Sequence, residues 1–166
     1  KTNNLLIANL GNFLFRTLKL SEELNFADVK PDEIIITETN KTLQEAKELL
    51  VQCKFKNYAE RILELSAFAN KYLSDTTPWT VKKTDTERYR VIMAGSLYIT
   101  IALAALLKPI TPATFDKLIA MLGIELTQWP EPSDISNLLQ NIKISNLSPL
   151  FKKIEADPSD FNEKYK

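Results

Sequence analysis

Apolar positions recur every three to four residues along most of this chain, which is the period of a helix with one buried face. In "NLGNFLFRTLKL" (9–20), Leu10, Phe13, Leu14 and Thr17, preceded by Leu6, share one arc, and the spacing predicts a first helix from about residue 3 to 20. "LQEAKELL" (43–50) centres a second over at least 42–52, starting as early as Pro31. Ile62, Leu65, Ala69 and Leu73 define a third over about 57–73, with Asn57 as N-cap and Glu60 as its capping-box partner. Pro78 restricts Thr77 and closes that helix in a loop. A fourth helix starts at Thr84 or Asp85 and runs to Leu107. The fifth opens at Thr111 and Pro112 and stops at Gly123. No alternating strand pattern or hairpin turn interrupts the series.

The expected fold class is therefore all-α: an antiparallel bundle of about five helices over 1–124, followed by a looser C-terminal tail over 125–166. "SDISNLLQNI" in the tail suits one short helix. Leu147, Leu150, Phe151 and Ile154 let one tail face fold back on apolar surface, while "PSDFNEKYK" is a polar end expected to fray. The start has no secretory cleavage pattern, and Lys1 in place of Met reads as a segment cut from a longer chain.

Composition narrows the chemistry. With 166 residues and 45% apolar content the chain can bury a core. Its 21 basic and 21 acidic residues cancel, so any polyanion must be met by a local patch. Histidine is absent, which excludes histidine triads, proton shuttles and histidine metal sites. Cys53, the single cysteine, lies in a helical pattern and is expected to be a buried structural thiol. The run "VIMAGSLYITIALAALL" (91–107) is at the short limit for a membrane span and carries Ser96 and Thr100, so it reads as the all-round buried helix of the bundle, with no membrane partner.

Three polar residues break the apolar first helix. Asn9, Asn12 and Arg16 fall within about 60° of one another on a helical wheel, some 130° from the centre of the apolar arc. Asn12 and Arg16, at i and i+4, converge on one small target; an amide and a planar guanidinium suit base edges and phosphates. A solvated face with Arg16 paired to a carboxylate is the alternative, and the one the wheel alone favours. Trp79, held by Pro78 and followed by Lys82 and Lys83, suits a stacking platform with a phosphate-facing rim, to which Arg88 is added. Its alternative is an indole plug between two helix ends. Trp129, among Glu125 and Glu131, is expected to pack the tail. The carboxylate pairs sit in polar connections, and the three glycines are isolated, so neither an acid–base dyad nor a phosphate loop is visible.

As a set, "NLGNFLFRTL" (9–18), "AFANKYLSDTTPW" (67–79), "LLKPITPAT" (106–114) with "LG" (122–123), and "SPLFKKIE" (148–155) resemble the anticodon-binding domain of methionyl-tRNA synthetase, a class I enzyme. The resemblance covers most of 1–155. It implies that Asn12 and Arg16 contact anticodon bases, that Trp79 stacks on the first of them with Pro78 shaping its turn, and that Asn9 assists. It implies a CAU anticodon loop of tRNA(Met) as partner, with the absent catalytic domain of the same chain, in a cytoplasmic, ATP-dependent methionine–tRNA ligase. The segment itself is expected to have no catalytic residue, metal or cofactor; ATP, and zinc as an option, belong to the catalytic half. Phe15 is larger than the small or polar residue common beside the arginine in that family, and Lys152 replaces a common proline. Two rivals stand: a helical protein-interaction module without an RNA role, and the similar bundle of an isoleucyl, valyl, leucyl or cysteinyl synthetase.

Overall fold

The computed structural model describes residues 9–151. The expected course of the first helix before Asn9, and the readings of Lys152 and Ile154, lie outside those residues. Among the described residues seven helices follow in order: α1 (Asn12–Ser21), α2 (Glu33–Val51), α3 (Phe55–Thr76), α4 (Pro78–Val81), α5 (Thr86–Leu107), α6 (Pro112–Leu122) and α7 (Pro132–Gln140). No strand occurs among the described residues, so the all-α class and the bundle stand. A π-helical turn over 9–11 leads into α1.

α5 is the spine of the bundle and touches all six other helices. Every residue over 92–107 is buried, which is why its sequence shows no polar face. Ser96 and Thr100 meet the demand for partners locally, donating to the Ile92 and Ser96 carbonyls at 3.0 and 2.9 Å. Apart from the single turn α4, the remaining helices each turn one apolar stripe to this spine. Phe13, Leu14 and Leu18 do so from α1, Ile35 and Leu43 from α2, and Leu65, Ala69 and Leu73 from α3. Each large aliphatic side chain withdrawn in this way is worth about 1.5–3 kcal/mol. Buried tyrosines tie helices to neighbouring backbone through their hydroxyls: Tyr58 donates to the Leu106 carbonyl, and Tyr89 to Leu20 at 2.6 Å.

The helix ends depart from expectation in instructive ways. Asn57 is not a cap. α2 ends at Val51, Cys53 takes a left-handed φ of 55°, and α3 begins at once at Phe55. That tight turn leaves Cys53 exposed, which corrects the expectation of a buried thiol. α5 starts as the sequence indicates, the Asp85 carboxylate accepting from the Arg88 backbone N–H at 2.9 Å. Gly123 ends α6 at φ 64°, a conformation that glycine adopts without cost.

The described part of the tail lies on the bundle. α7, closed at its start by the Glu131–Asp134 capping box, buries Ile135 and Leu139 and contacts α5. Beyond it, the Lys143 and Ser145 N–H groups donate to the Leu122 and Met121 carbonyls, each at 3.0 Å, satisfying the last turn of α6. Leu147, Leu150 and Phe151 pack half-buried against the core, as does Trp129.

Candidate nucleic-acid interface

The apolar stripe of α1 decides what remains outside. With Phe13, Leu14, Thr17, Leu18 and Ser21 buried, the opposite arc carries Asn12, Phe15 and Lys19 in the open and Arg16 half-buried. Asn9 behaves differently. Its side-chain oxygen accepts from Ser66 Oγ at 3.0 Å and from Asn70 Nδ2 at 2.6 Å, and its backbone carbonyl also accepts from Asn70. This amide docks the start of α1 on α3, so its carbonyl end is already engaged inside the bundle.

Between α3 and α5 the chain makes one further helical turn where a loop was expected. The Thr77 N–H still closes on the Leu73 carbonyl at 3.1 Å, but Pro78 disfavours the right-handed region for Thr77, whose φ is 41°. A left-handed conformation is costly for a β-branched residue, so this is a strained corner. Pro78, with its φ preset, then starts α4 at the first helical position. Pro78 is buried and Trp79, next to it, is 41% exposed. The proline fills the gap between the helix ends and the indole projects from it.

The two sequence-distant features meet. The Arg16 guanidinium carbon lies 5.1 Å from the centre of the Trp79 ring, a cation–π contact worth about 0.5–1 kcal/mol at an exposed site. The chain has four arginines, and the other three are paired with carboxylates. Arg61 is held by Glu38, Glu45 and Glu64 at 2.7–3.1 Å, Arg88 by Asp32, and Arg90 by Glu87 at 3.1 Å. Among the described residues Arg16 has no carboxylate within ion-pair distance. Its fork of donors rests against an aromatic face.

Of the expected phosphate contacts, Lys82 and Lys83 are exposed one turn beyond Trp79, and the Lys82 ammonium lies 5.6 Å from the Tyr89 ring centre. Arg88 belongs elsewhere. Its two terminal nitrogens donate to the two oxygens of Asp32 at 2.7 and 2.9 Å, and the Tyr72 hydroxyl donates to the same carboxylate at 2.8 Å. The Arg88 hydrogen bonds hold the Asp32 carboxyl below its ordinary range against the opposing effect of burial, with Tyr72 assisting. Burial, reinforced by Asp32, pushes the Tyr72 phenol well up. This triad joins the starts of α2 and α5 to α3. Sequence reasoning missed it because its members lie 40 and 56 residues from Asp32.

The surface formed by Asn12, Arg16 and Trp79 thus offers an amide, a guanidinium and an indole to one neighbour, beside two exposed lysines. Its groups are hydrogen-bond donors and acceptors and an aromatic face, the chemistry of contact with a planar, polar ligand.

The chain matches a family model described as the anticodon binding domain of methionyl tRNA ligase over residues 27–166. That match begins after α1. The chain is 31% identical over 164 residues to the methionine–tRNA ligase of Methanopyrus kandleri, covering 95% of this chain and 24% of that protein. It is 30% identical over 167 residues to that of Methanococcoides burtonii, covering 96% and 24%, and 30% identical over 164 residues to that of Phocaeicola vulgatus, covering 95% and 24%. The chain spans about a quarter of the length of the curated relatives it matches.

Proposed function

The chain belongs to the anticodon-binding domains of methionyl-tRNA ligases, and on that premise we propose that it binds the CAU anticodon loop of tRNA(Met) through Trp79, Arg16 and Asn12. One unpaired base stacks on the exposed indole of Trp79. Arg16, resting on the indole, directs its N–H donors at a base edge or the adjoining phosphate. Asn12, four residues before Arg16, offers a donor and an acceptor to a neighbouring base edge. This is how single-stranded RNA loops are commonly read: stacking supplies affinity, and base edges supply choice. Lys82 and Lys83 meet the phosphates. In the parent protein this grip holds the tRNA so that its acceptor end reaches a remote catalytic half, where ATP and methionine are used. The chain contributes selection, and no chemical step is assigned to it.

The observation that carries the proposal is Arg16, set on an exposed tryptophan while each of the other three arginines is bound to a carboxylate. The test compares binding of a CAU stem-loop RNA with one of changed anticodon. Trp79→Ala and Arg16→Ala should each weaken the CAU complex by about 1–3 kcal/mol. Asn12→Ala should chiefly lower the ratio between the two RNAs. Affinity should also fall as salt rises. If Trp79→Ala melts the domain and leaves the ratio untouched, the indole is a plug and the proposal fails. Equal binding of both RNAs by the unaltered chain would overturn anticodon selection, and binding of neither would favour a protein-interaction module instead.

A further inference from the structure

Phe15 is the residue that the proposed site does not explain. It is 37% exposed on a helix whose inner face is filled by Phe13, Leu14, Thr17 and Leu18. Taking Asn12 as zero on the wheel, Phe15 lies at about −60°, Lys19 at about −20° and Arg16 at about +40°. The centre of the buried arc lies near 170°, so Phe15 is on the far side from the core. Asn12 stands between Phe15 and Arg16. Phe15 and Asn12, three apart, are surface neighbours. No cation lies over the Phe15 ring among the described residues, although three such contacts occur elsewhere. A helix face needing only solubility gains nothing from a phenyl ring among an amide, a guanidinium and an ammonium.

We infer that Phe15 is a second stacking platform, taking another unpaired base of the same RNA loop on the opposite side of Asn12 from Trp79. The inference rests on the anticodon-loop reading of the Asn12–Arg16–Trp79 surface and extends it. The amide would then lie between two aromatic supports, with one base fixed on each side and edges presented to the space between. The division of roles follows from the chemistry. A phenyl ring has no donor or acceptor, and every base has a π-face, so Phe15 adds affinity without choosing among bases.

The test uses the 166-residue chain, a CAU stem-loop RNA and the same stem-loop with single abasic loop positions. Phe15→Ala should weaken binding about 5- to 150-fold, and by the same factor for the changed-anticodon loop. Phe15→Tyr should restore binding and Phe15→Leu should not, because leucine keeps apolar area but no π-face. The loss on Phe15→Ala should vanish when one loop nucleotide is abasic, and that nucleotide should differ from the one that abolishes the Trp79→Ala loss. Full binding by Phe15→Leu, or unchanged affinity of Phe15→Ala while Trp79→Ala is weakened, would overturn the second platform and leave the first intact. If neither Phe15→Ala nor Trp79→Ala alters binding, the anticodon-loop reading itself has failed. Thermal melting of each variant shows that the fold is retained, as the outward position of Phe15 requires.

Discussion

Arg88 grips both oxygens of Asp32 with its two terminal nitrogens, and so fixes the start of α5 to the residue that opens α2. Asp32 supplies no hydrogen bond to its own helix from its side chain. Its carboxylate serves the long-range pair instead, with Tyr72 of α3 completing the set.

A dependence on pH follows. The folded Asp32 carboxyl is held below its ordinary value, chiefly by Arg88. Such a group contributes stability that is complete above its unfolded pKa, near 4, and is lost as pH falls through the lower folded value. Asp32→Asn should therefore lower the melting temperature at pH 6, and the gap from the unaltered chain should close as pH drops below about 4. The Arg88 side chain is 42% exposed, so screening limits the effect to about 1 kcal/mol or less. A gap that stays constant from pH 3 to 6 would deny the pair any charge-dependent share.

Arg16 and Trp79 should be energetically coupled in the RNA complex. Because the guanidinium rests on the indole, removal of Trp79 also releases Arg16 from its bearing. The double variant should cost less than the sum of Arg16→Ala and Trp79→Ala, with a coupling of about 0.5–3 kcal/mol. Arg16→Lys should not restore binding, since an ammonium lacks the planar fork that stacks and donates together. Strict additivity in the cycle would show that the contact has no bearing on recognition.

Gly123 should not tolerate a side chain. Its φ is 64°, and a Cβ there would lie 2.6 Å from the Lys143 carbonyl oxygen, a backbone atom that cannot swing away. Gly123→Ala should destabilise by more than about 1 kcal/mol, the cost of left-handed backbone for a non-glycine residue. The clash would also prise the tail from α6, where the Lys143 N–H meets Leu122. Denaturant titration measures the loss, and hydrogen exchange at 143 and 145 should quicken by more than global destabilisation accounts for.

Cys53 should react with a maleimide in the native state without waiting on unfolding, and without lowering the melting temperature. Its exposure in the α2–α3 turn is the reason. Labelling that waits on unfolding would contradict that exposure.

The main helices were legible because their signals are local. A run of buried residues identified α5, Thr-Pro and Gly bounded α6, and the core arc of α1 followed from Leu10 to Thr17. The misses are of two physical kinds. Backbone corners form the first: left-handed Cys53 lets α3 start at Phe55, and left-handed Thr77 lets Pro78 restart a helix where the sequence signalled only a stop. Pairings across the fold form the second. Nothing local told that Asp32 would claim Arg88, that Ser66 and Asn70 would occupy the Asn9 carbonyl, or that Arg16 would find an indole where the alternative offered a carboxylate. Asn12 could be placed on its outward face from the wheel alone; whether a neighbouring cation was spoken for could not.

The all-round burial of α5 has a consequence for how the protein comes apart. Each other helix covers part of that spine, so detaching any one of them wets apolar surface for which α5 has no polar side to offer. Partial opening is thus nearly as costly as complete opening, and the described bundle should melt in a single cooperative step, with the slowest amides of α5 exchanging only through global unfolding. The turn that carries Trp79 runs into this spine after four residues. On the proposed reading, a base seated on the indole would pull on a turn tied within four residues to the most buried helix of the bundle.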